Sequence, residues 1–566
     1  MVTGSRHINS FLKPFFKYTL MILPALWALA LSLRPVVSID ALKLHMALPS
    51  VWKDEGFLFF RKFNAKIELG MMNIDYLYAL LLKFFDWEPL PKIIHASFLV
   101  ATGILTYRFV SKRYGQIYGI LSYWMILTLP INQRLASEVY VDLGLLFFSS
   151  MSVIYYLRAF EKEFNLKYFI ISAAACGLAA GSKFNGLVFA FIMVMIVLHE
   201  TSKRFDVKKM LLLTLLFSTA ILVLISPWLI RNYAGSGGNP FYPLFGSIFS
   251  SSAIQNPATY TSSQISQGYM TWRYYNGESL LDVILIPLRF FLTGKDYDHF
   301  QFDGVLNPLM LLLLVLSFIK SQYLTKRQKF QLFMIVVFML VFASYYSSAA
   351  VRYALPFTLP LTILNIEGLK NSFGLVKTGK FKCFVPCIII ASLIFFNINY
   401  SYKFAKRTSV FQYLQGNITK EEYLKKHVIS YDIYEFINSE LPADAVIYDV
   451  LCGNKMYYVN RKYICSESSI NWWFNGVVYR NEGINSFYEL LGNLPNTDKL
   501  KAGYLLINPN EFYKSFLEIY FDQDDPESIK NKQKLDSFIN FLKKQSPLFI
   551  SGELILFKIN YDFPKP

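Results

Sequence analysis

The chain has 566 residues, of which 54% are hydrophobic and 17% charged, with a formal net charge of +17. That is more apolar surface than one soluble core can bury, so a single water-soluble domain is excluded and lipid must cover much of the chain. Lys and Arg stand in short runs between apolar segments, without an extended basic stripe or recognition motif, which excludes a nucleic-acid partner and reads as the charge bias that orients membrane proteins.

In chain order, Arg6, Lys13 and Lys17 precede an apolar run over 18–37. No small-residue cleavage pattern comes before Asp40, so an uncleaved first span is expected. Further stretches long enough to cross the hydrocarbon lie at 93–110, 117–131, 140–157, 168–182, 184–198, 210–230, 305–319, 332–346, 354–366 and 384–396. Together they predict an α-helical polytopic membrane protein of about eleven transmembrane helices. The segment 71–85 is apolar but short and carries Asp75 and Lys83, which suits an interfacial helix.

With the N-terminus in the cytoplasm, alternation assigns Lys112 and Arg113, then Lys162 and Lys167, then Lys203, Arg204, Lys208 and Lys209 to the inner face. Lys326, Arg327 and Lys329 follow, as do Lys377, Lys380 and Lys382. Every short inner loop is then basic, the pattern that sets orientation during insertion. The outer face receives 38–88, 132–139, 231–303 and everything after about 397, and such unequal loops place the specialised parts there.

The tail from 431 mixes a helical stretch at 432–439 with strand-like runs at 445–451 and 504–508. A small extracytoplasmic α/β domain over 401–566 is expected, behind a transmembrane domain over 1–400. Five cysteines stand without close pairing to one another or to histidine, so neither a zinc site nor a dense disulfide framework is indicated. Cys176, Cys383 and Cys387 read as packing residues of apolar spans. Cys452 and Cys465 flank an expected hairpin, where an oxidising compartment permits a bridge. No fixed-period repeat is visible.

The polar residues at the outer helix ends are the informative ones, because ionisable groups at membrane depth are costly. Asp40 opens the first outer loop, and a helical start brings His45 within about a turn of it. An N-cap is the plainer reading of Asp40, and capping does not exclude catalysis. Glu138 and Asp142 are four residues apart on an expected common helix face, able to bind a metal, orient an acceptor or mark the water boundary. Lys183 falls in Gly181-Ser182-Lys183 between two closely spaced spans, where it can snorkel to headgroups or meet a ligand. Arg231 and Arg352 are expected outside, against the usual bias, and a guanidinium there offers a planar fork to phosphate, whether of a carrier or of ordinary lipid.

With these residues in place, residues 15–370 resemble the GT-C superfamily of membrane glycosyltransferases, particularly bacterial proteins of the protein mannosyltransferase (glycosyltransferase family 39) and aminoarabinose transferase type. The resemblance rests on Asp40 after the first span, the helical first loop, Glu138 and Asp142, the Gly-Ser-Lys turn, Pro227-Trp228-Leu229-Ile230-Arg231-Asn232 with Gly238-Asn239-Pro240-Phe241-Tyr242-Pro243, and Arg352-Tyr353. It implies an inverting glycosyltransferase that moves a monosaccharide from a polyprenyl-phosphate carrier to a hydroxyl of a glycan, lipid or protein acceptor at the outer face of the plasma membrane. It implies Asp40 as general base, with Lys183, Arg231 and Arg352 on the departing phosphate.

The chain departs from the family in having Asp40-Ala41 where an Asp-Glu pair is usual, which leaves a divalent metal an open expectation and gives His45 a place in metal or acceptor contact. The C-terminal domain, which the resemblance does not interpret, is expected to shape acceptor access. A lipid or glycan transporter or flippase would place its polar groups near the bilayer midplane instead of at the helix tips. An O-antigen ligase or polymerase would use a pyrophosphate-linked glycan, and the early carboxylate argues against it. A non-catalytic scaffold would leave the outer carboxylates and cations without a purpose.

Overall fold

The computed structural model describes residues 19–55, 69–242, 244–249, 270, 273–274, 276–320, 323–373, 384–450, 452–453, 455–464, 503–510, 542–543 and 545–559. Each expected span carries a helix. Among the described residues, five helices are long and apolar enough to cross a membrane: Pro89–Tyr114, Phe184–Ser202, Val207–Ser236, Lys326–Tyr345 and Phe384–Arg407. The count of about eleven spans is therefore not reproduced by length and apolarity alone, because helices such as Leu309–Ser317 are too short. Val207–Ser236 presents Leu211, Leu212, Leu215, Val223 and Ile230 outward, the apolar surface that lipid would cover. The segment read as interfacial forms the helix Asn73–Phe85, in which Asp75 is buried.

Local chemistry sets the helix ends. Asn165 accepts a bond from Tyr168 N and caps Leu166–Ala180, and Thr325 with Gln328 forms a capping box at the start of Lys326–Tyr345. Gly186 lies against the carbonyl of Ala179, where a Cβ would collide. This lets Leu166–Ala180 and Phe184–Ser202 approach closely across the 181–183 turn.

The chain divides into two compact units. The first comprises Met1–Arg34, Gly70–Ile230 and Ser262–Asn417. At one of its ends the basic loops meet. Arg113 pairs with Glu161 at 3.1 Å, and Arg204 pairs with buried Glu200 while donating to Lys162 O and Phe160 O. Arg327 reaches the same Glu200 at 3.3 Å. Lys329, read as a loop charge, is instead buried, donating to Ser317 O and Lys320 O near Glu367. Arg6, Lys13, Lys17, Lys377, Lys380, Lys382 and Cys383 lie outside the described residues.

The second unit comprises Pro35–Leu69, Arg231–Thr261 and Ile418–Pro566. Its centre is a mixed sheet of β1 (Val446–Val450), β2 (Lys462–Ile464), β3 (Gly503–Ile507), β4 (Pro547–Ser551) and β5 (Leu554–Ile559) in the order β2-β1-β3-β5-β4. β1 is parallel to both β2 and β3, whereas β5 is antiparallel to β3 and β4. β1 and β3 are buried along their whole length, as central strands covered on both faces must be. The helix Tyr431–Glu440 packs on β4, with Phe436 stacked on Phe549 at 4.4 Å.

The hairpin expected between Cys452 and Cys465 does not form. A short 3-10 turn, Met456–Tyr458, leads into β2, and β2 runs parallel to β1. Cys452 is a buried free thiol whose Sγ donates to Val450 O. Cys465 lies outside the described residues.

Candidate functional site

In the first unit, the end opposite the basic loops holds an ion network that begins at Glu138. The spacing of Glu138 and Asp142 suggested a shared helix face, but the helix Pro130–Ala136 ends before Glu138 and the next, Asp142–Ala159, starts at Asp142. Glu138 sits in the turn between them. The 137–141 turn interrupts the helix between them, so the two carboxylates face different partners.

Glu138 is buried, with Oε1 3.6 Å from Arg34 Nη2 and 3.6 Å from Arg134 Nε. Tyr297 donates its hydroxyl to the same oxygen at 2.6 Å. Half of the Tyr297 surface is exposed, yet its hydroxyl is inside, and burial followed by the neighbouring Glu138 carboxylate raises its pKa well above the ordinary phenol value. Arg134 is fully buried, bonded to Asp303 Oδ1 at 2.7 Å and to Asp303 O at 2.8 Å. Arg352 approaches Asp303 Oδ2 at 3.7 Å. Asp296 accepts from Tyr400 at 2.8 Å and from Arg407 at 2.6 Å. Four guanidiniums thus meet three carboxylates, so burial is compensated with little charge in excess.

Asp142 forms a separate pair. Lys183 Nζ donates to both its oxygens, at 2.9 and 3.1 Å, and the Asp142 side chain has no exposed surface. The lysine therefore does not merely snorkel. It also lies 5.1 Å from the ring centroid of Tyr353, and Arg352 lies over Tyr353 and Tyr140. The turn that carries Lys183 is held from Asn73, whose N–H donates to Gly181 O at 2.9 Å and whose Nδ2 donates to Leu178 O. Gly181 leaves room for that side chain, and Trp228 Nε1 donates to Asn73 Oδ1. Two of the motif segments singled out in the sequence, Gly-Ser-Lys and Pro-Trp-Leu-Ile-Arg-Asn, thus meet through Asn73.

In the second unit, Asp40 is half-buried at the head of a π-helical turn, Ala41–His45, closed by Met46 N–H on Ala41 O. Asp40 has helical backbone angles and its side chain makes no capping bond, so the N-cap reading is corrected. A π-turn is uncommon and recurs at functional sites. His45 closes the same turn and is buried. Arg231 is buried and stacks on Trp52, its Cζ 5.1 Å from the ring centroid. Trp52 is itself buried, and its Nε1 has no hydrogen-bond partner among the described residues. Asn232 and Asn239 brace the following loop through Pro240 O and Leu244 O.

The structure brings Asp40 and His45 onto one turn, Asp142 onto Lys183, and Glu138 into a network linked through Asp303 to Arg352. Sequence reasoning missed Arg34, Arg134, Asp296, Tyr297, Asp303, Asn73 and Trp52. Arg34 carried a usable signal, since on the topology expected from the sequence it stands at the outer end of the first span against the charge bias, like Arg231. Among the described residues, no group of three His, Cys, Asp or Glu side chains is placed to hold a metal ion.

Residues 63–230 match the family described as Dolichyl-phosphate-mannose-protein mannosyltransferase. Among solved structures, the chain is similar to ArnT from Cupriavidus metallidurans in the apo state, at 12% identity and a TM-score of 0.58, covering 97% of this chain and 98% of that one. It is also similar to the same protein bound to undecaprenyl phosphate, at 13% identity and a TM-score of 0.56, over 96% and 97% of the two chains. A third is the archaeal oligosaccharyltransferase AglB from Archaeoglobus fulgidus in complex with an inhibitory peptide and a dolichol-phosphate, at 13% identity and a TM-score of 0.52, over 89% and 71%. No curated protein matches the sequence. The chain shares the fold of ArnT and AglB.

Proposed function

We propose that the protein is an inverting glycosyltransferase that moves a monosaccharide from a polyprenyl-phosphate carrier to the hydroxyl of a surface glycan, lipid or protein. In this reading it is an integral plasma-membrane protein with a cytoplasmic N-terminus and an extracytoplasmic C-terminal domain over 401–566. The GT-C fold and the family match over 63–230 support sugar transfer. Similar structures bound to undecaprenyl phosphate and to a dolichol-phosphate support the carrier class.

The observation that carries the reading is Asp40, half-buried on a π-turn after the first span and not spent on capping. A carboxylate so held can accept the proton of the attacking hydroxyl while the new C–O bond forms at the anomeric carbon. The bond from that carbon to the phosphate oxygen breaks on the opposite face, and the carrier leaves as a phosphate. The buried Arg231 guanidinium and the Trp52 Nε1–H, which has no partner among the described residues, are donors suited to such an oxyanion. Lys183 and Arg352 are assigned the same task, each balanced against a carboxylate, Asp142 and Asp303. His45 and Glu138 are assigned to the acceptor side, and His45 is the residue to examine for a divalent metal.

The test is Asp40→Asn in cells lacking the chromosomal gene, with mass spectrometry of lipid-linked sugars and surface glycans. The species lost on gene deletion should stay absent, while membrane abundance and binding of undecaprenyl phosphate persist. Product at the wild-type level would remove Asp40 as base.

A further inference from the structure

From the sequence the C-terminal domain is expected to shape acceptor access, and in the second unit it is joined to the segment that bears Asp40. The turn Met456–Tyr458, which follows β1, packs against Ala41–His45 and Ala47–Glu55. From this turn Tyr458 donates its hydroxyl to Val36 O at 2.8 Å, a bond between residues 422 positions apart. Val36 is buried and stands four residues before Asp40, in the irregular stretch between the first span and the π-turn. Two residues later, Ser38 O accepts from Leu42 N–H at 3.0 Å, so the backbone bound by Tyr458 leads directly into the turn that orients the carboxylate.

Tyr458 is in turn fixed by its own domain. Asn438, on the helix Tyr431–Glu440, donates Nδ2 to Tyr458 O at 2.7 Å and accepts from Asn460 N at 2.8 Å. Tyr431 meets the Tyr458 ring edge-on at 5.5 Å, and Tyr457 does so at 4.9 Å. Arg461 then donates to Asn438 O and Leu441 O, tying the end of that helix to the strand that follows. A continuous path of bonds runs from the Tyr431–Glu440 helix through Asn438 and Tyr458 to Val36. A side chain held at both ends in this way transmits the position of a folded domain, whereas a loop anchored only by its own turn would be free to shift.

We propose that the C-terminal domain is a working part of the transfer site, with Tyr458 the positioning residue that fixes the backbone delivering Asp40. This rests on the reading of Asp40 as general base. Proton transfer in the attack demands that the carboxylate be within hydrogen-bond reach of the acceptor hydroxyl, and a misplacement of about 1 Å at a reacting group can cost about a hundredfold in rate. Tyr458 touches neither substrate nor carrier in this account.

The experiment uses the full-length protein in cells deleted for the gene and, for the purified protein, in detergent. Tyr458→Phe keeps the ring and removes only the hydroxyl, and Asn438→Ala releases the turn without touching the first loop. Each should lower formation of the deletion-sensitive glycan species by about 10-fold or more, with membrane abundance and undecaprenyl phosphate affinity within about twofold of wild type. Amide hydrogen exchange over residues 36–46 should rise in both, with the membrane helices unchanged. Wild-type product and exchange in both variants would overturn the proposal. Asp40→Asn separates the two ideas: if it keeps its product the reading of the base fails, while faster exchange in Tyr458→Phe still measures the clamp.

Discussion

Glu138→Gln tests whether the network around Glu138 holds the fold or serves the substrate. The substitution preserves shape and an oxygen for the Tyr297 hydroxyl but removes the charge facing Arg34 and Arg134, each 3.6 Å away. At an effective dielectric near 20, one such pair is worth about 4–5 kcal/mol before desolvation. Breaking a buried pair by removing one partner costs about 3–5 kcal/mol. Arg134 keeps Asp303 at 2.7 Å, so the lower end, about 3 kcal/mol, is the expected loss. Fluorescence-detected gel filtration after a temperature series should then show the half-loss of monodisperse protein at least several degrees lower. Adding Arg34→Met removes the opposing charge, and the double variant should recover part of that loss, the coupling expected of residues in contact. A Glu138→Gln protein as heat-stable as wild type, or a double variant whose losses simply add, would refute the structural role.

Lys183→Met alone should destabilise by about 3–5 kcal/mol by stranding Asp142 in the interior, and Lys183→Met with Asp142→Asn should restore stability. If Lys183 also holds the carrier phosphate, the restored double variant should still bind undecaprenyl phosphate about tenfold more weakly, a difference of about 1.4 kcal/mol, and unchanged affinity would make the lysine purely structural. Cys452 is buried and its thiol is pushed well above the usual range, first by burial and then by Asp449. It should resist maleimide at pH 7.5 until the protein is unfolded, because little thiolate is present or reachable. Peptide-resolved mass spectrometry showing rapid labelling of Cys452 in the folded protein would contradict its placement.

Apolar runs and the basic loops between them were legible because both are local properties of the chain. The contacts of Arg113, Lys162, Arg204 and Arg327 at one end of the first unit agree with the alternation read from charge alone. Glu138 and Asp142 were misread for an equally local reason. A spacing of four means a shared face only inside a continuous helix, and the 137–141 turn breaks it. The partners of Glu138 were beyond reach: Tyr297 and Arg34 are brought to it by tertiary packing, and a single sequence contains no periodicity that links them. The connection from β1 to β2 is short enough to suggest a hairpin, since parallel strands usually need a longer crossover. Tertiary context overrode that length.

The partners of Lys183 and Arg352 change what charge at a helix end expected to be outer means. Read from the sequence, Arg352 stood as an excess cation for which an anion was the natural explanation, and Lys183 as a cation that snorkels or meets a ligand. In the folded first unit each has a carboxylate within 4 Å, Asp142 for Lys183 and Asp303 for Arg352. An arriving phosphate would therefore compete with an internal carboxylate for the same donors, and its affinity would be the difference between two charge-assisted interactions. On the proposed function, such a balance would suit a leaving group: carrier affinity would stay moderate in the ground state, and the cations would engage more strongly as negative charge builds on the departing phosphate oxygen.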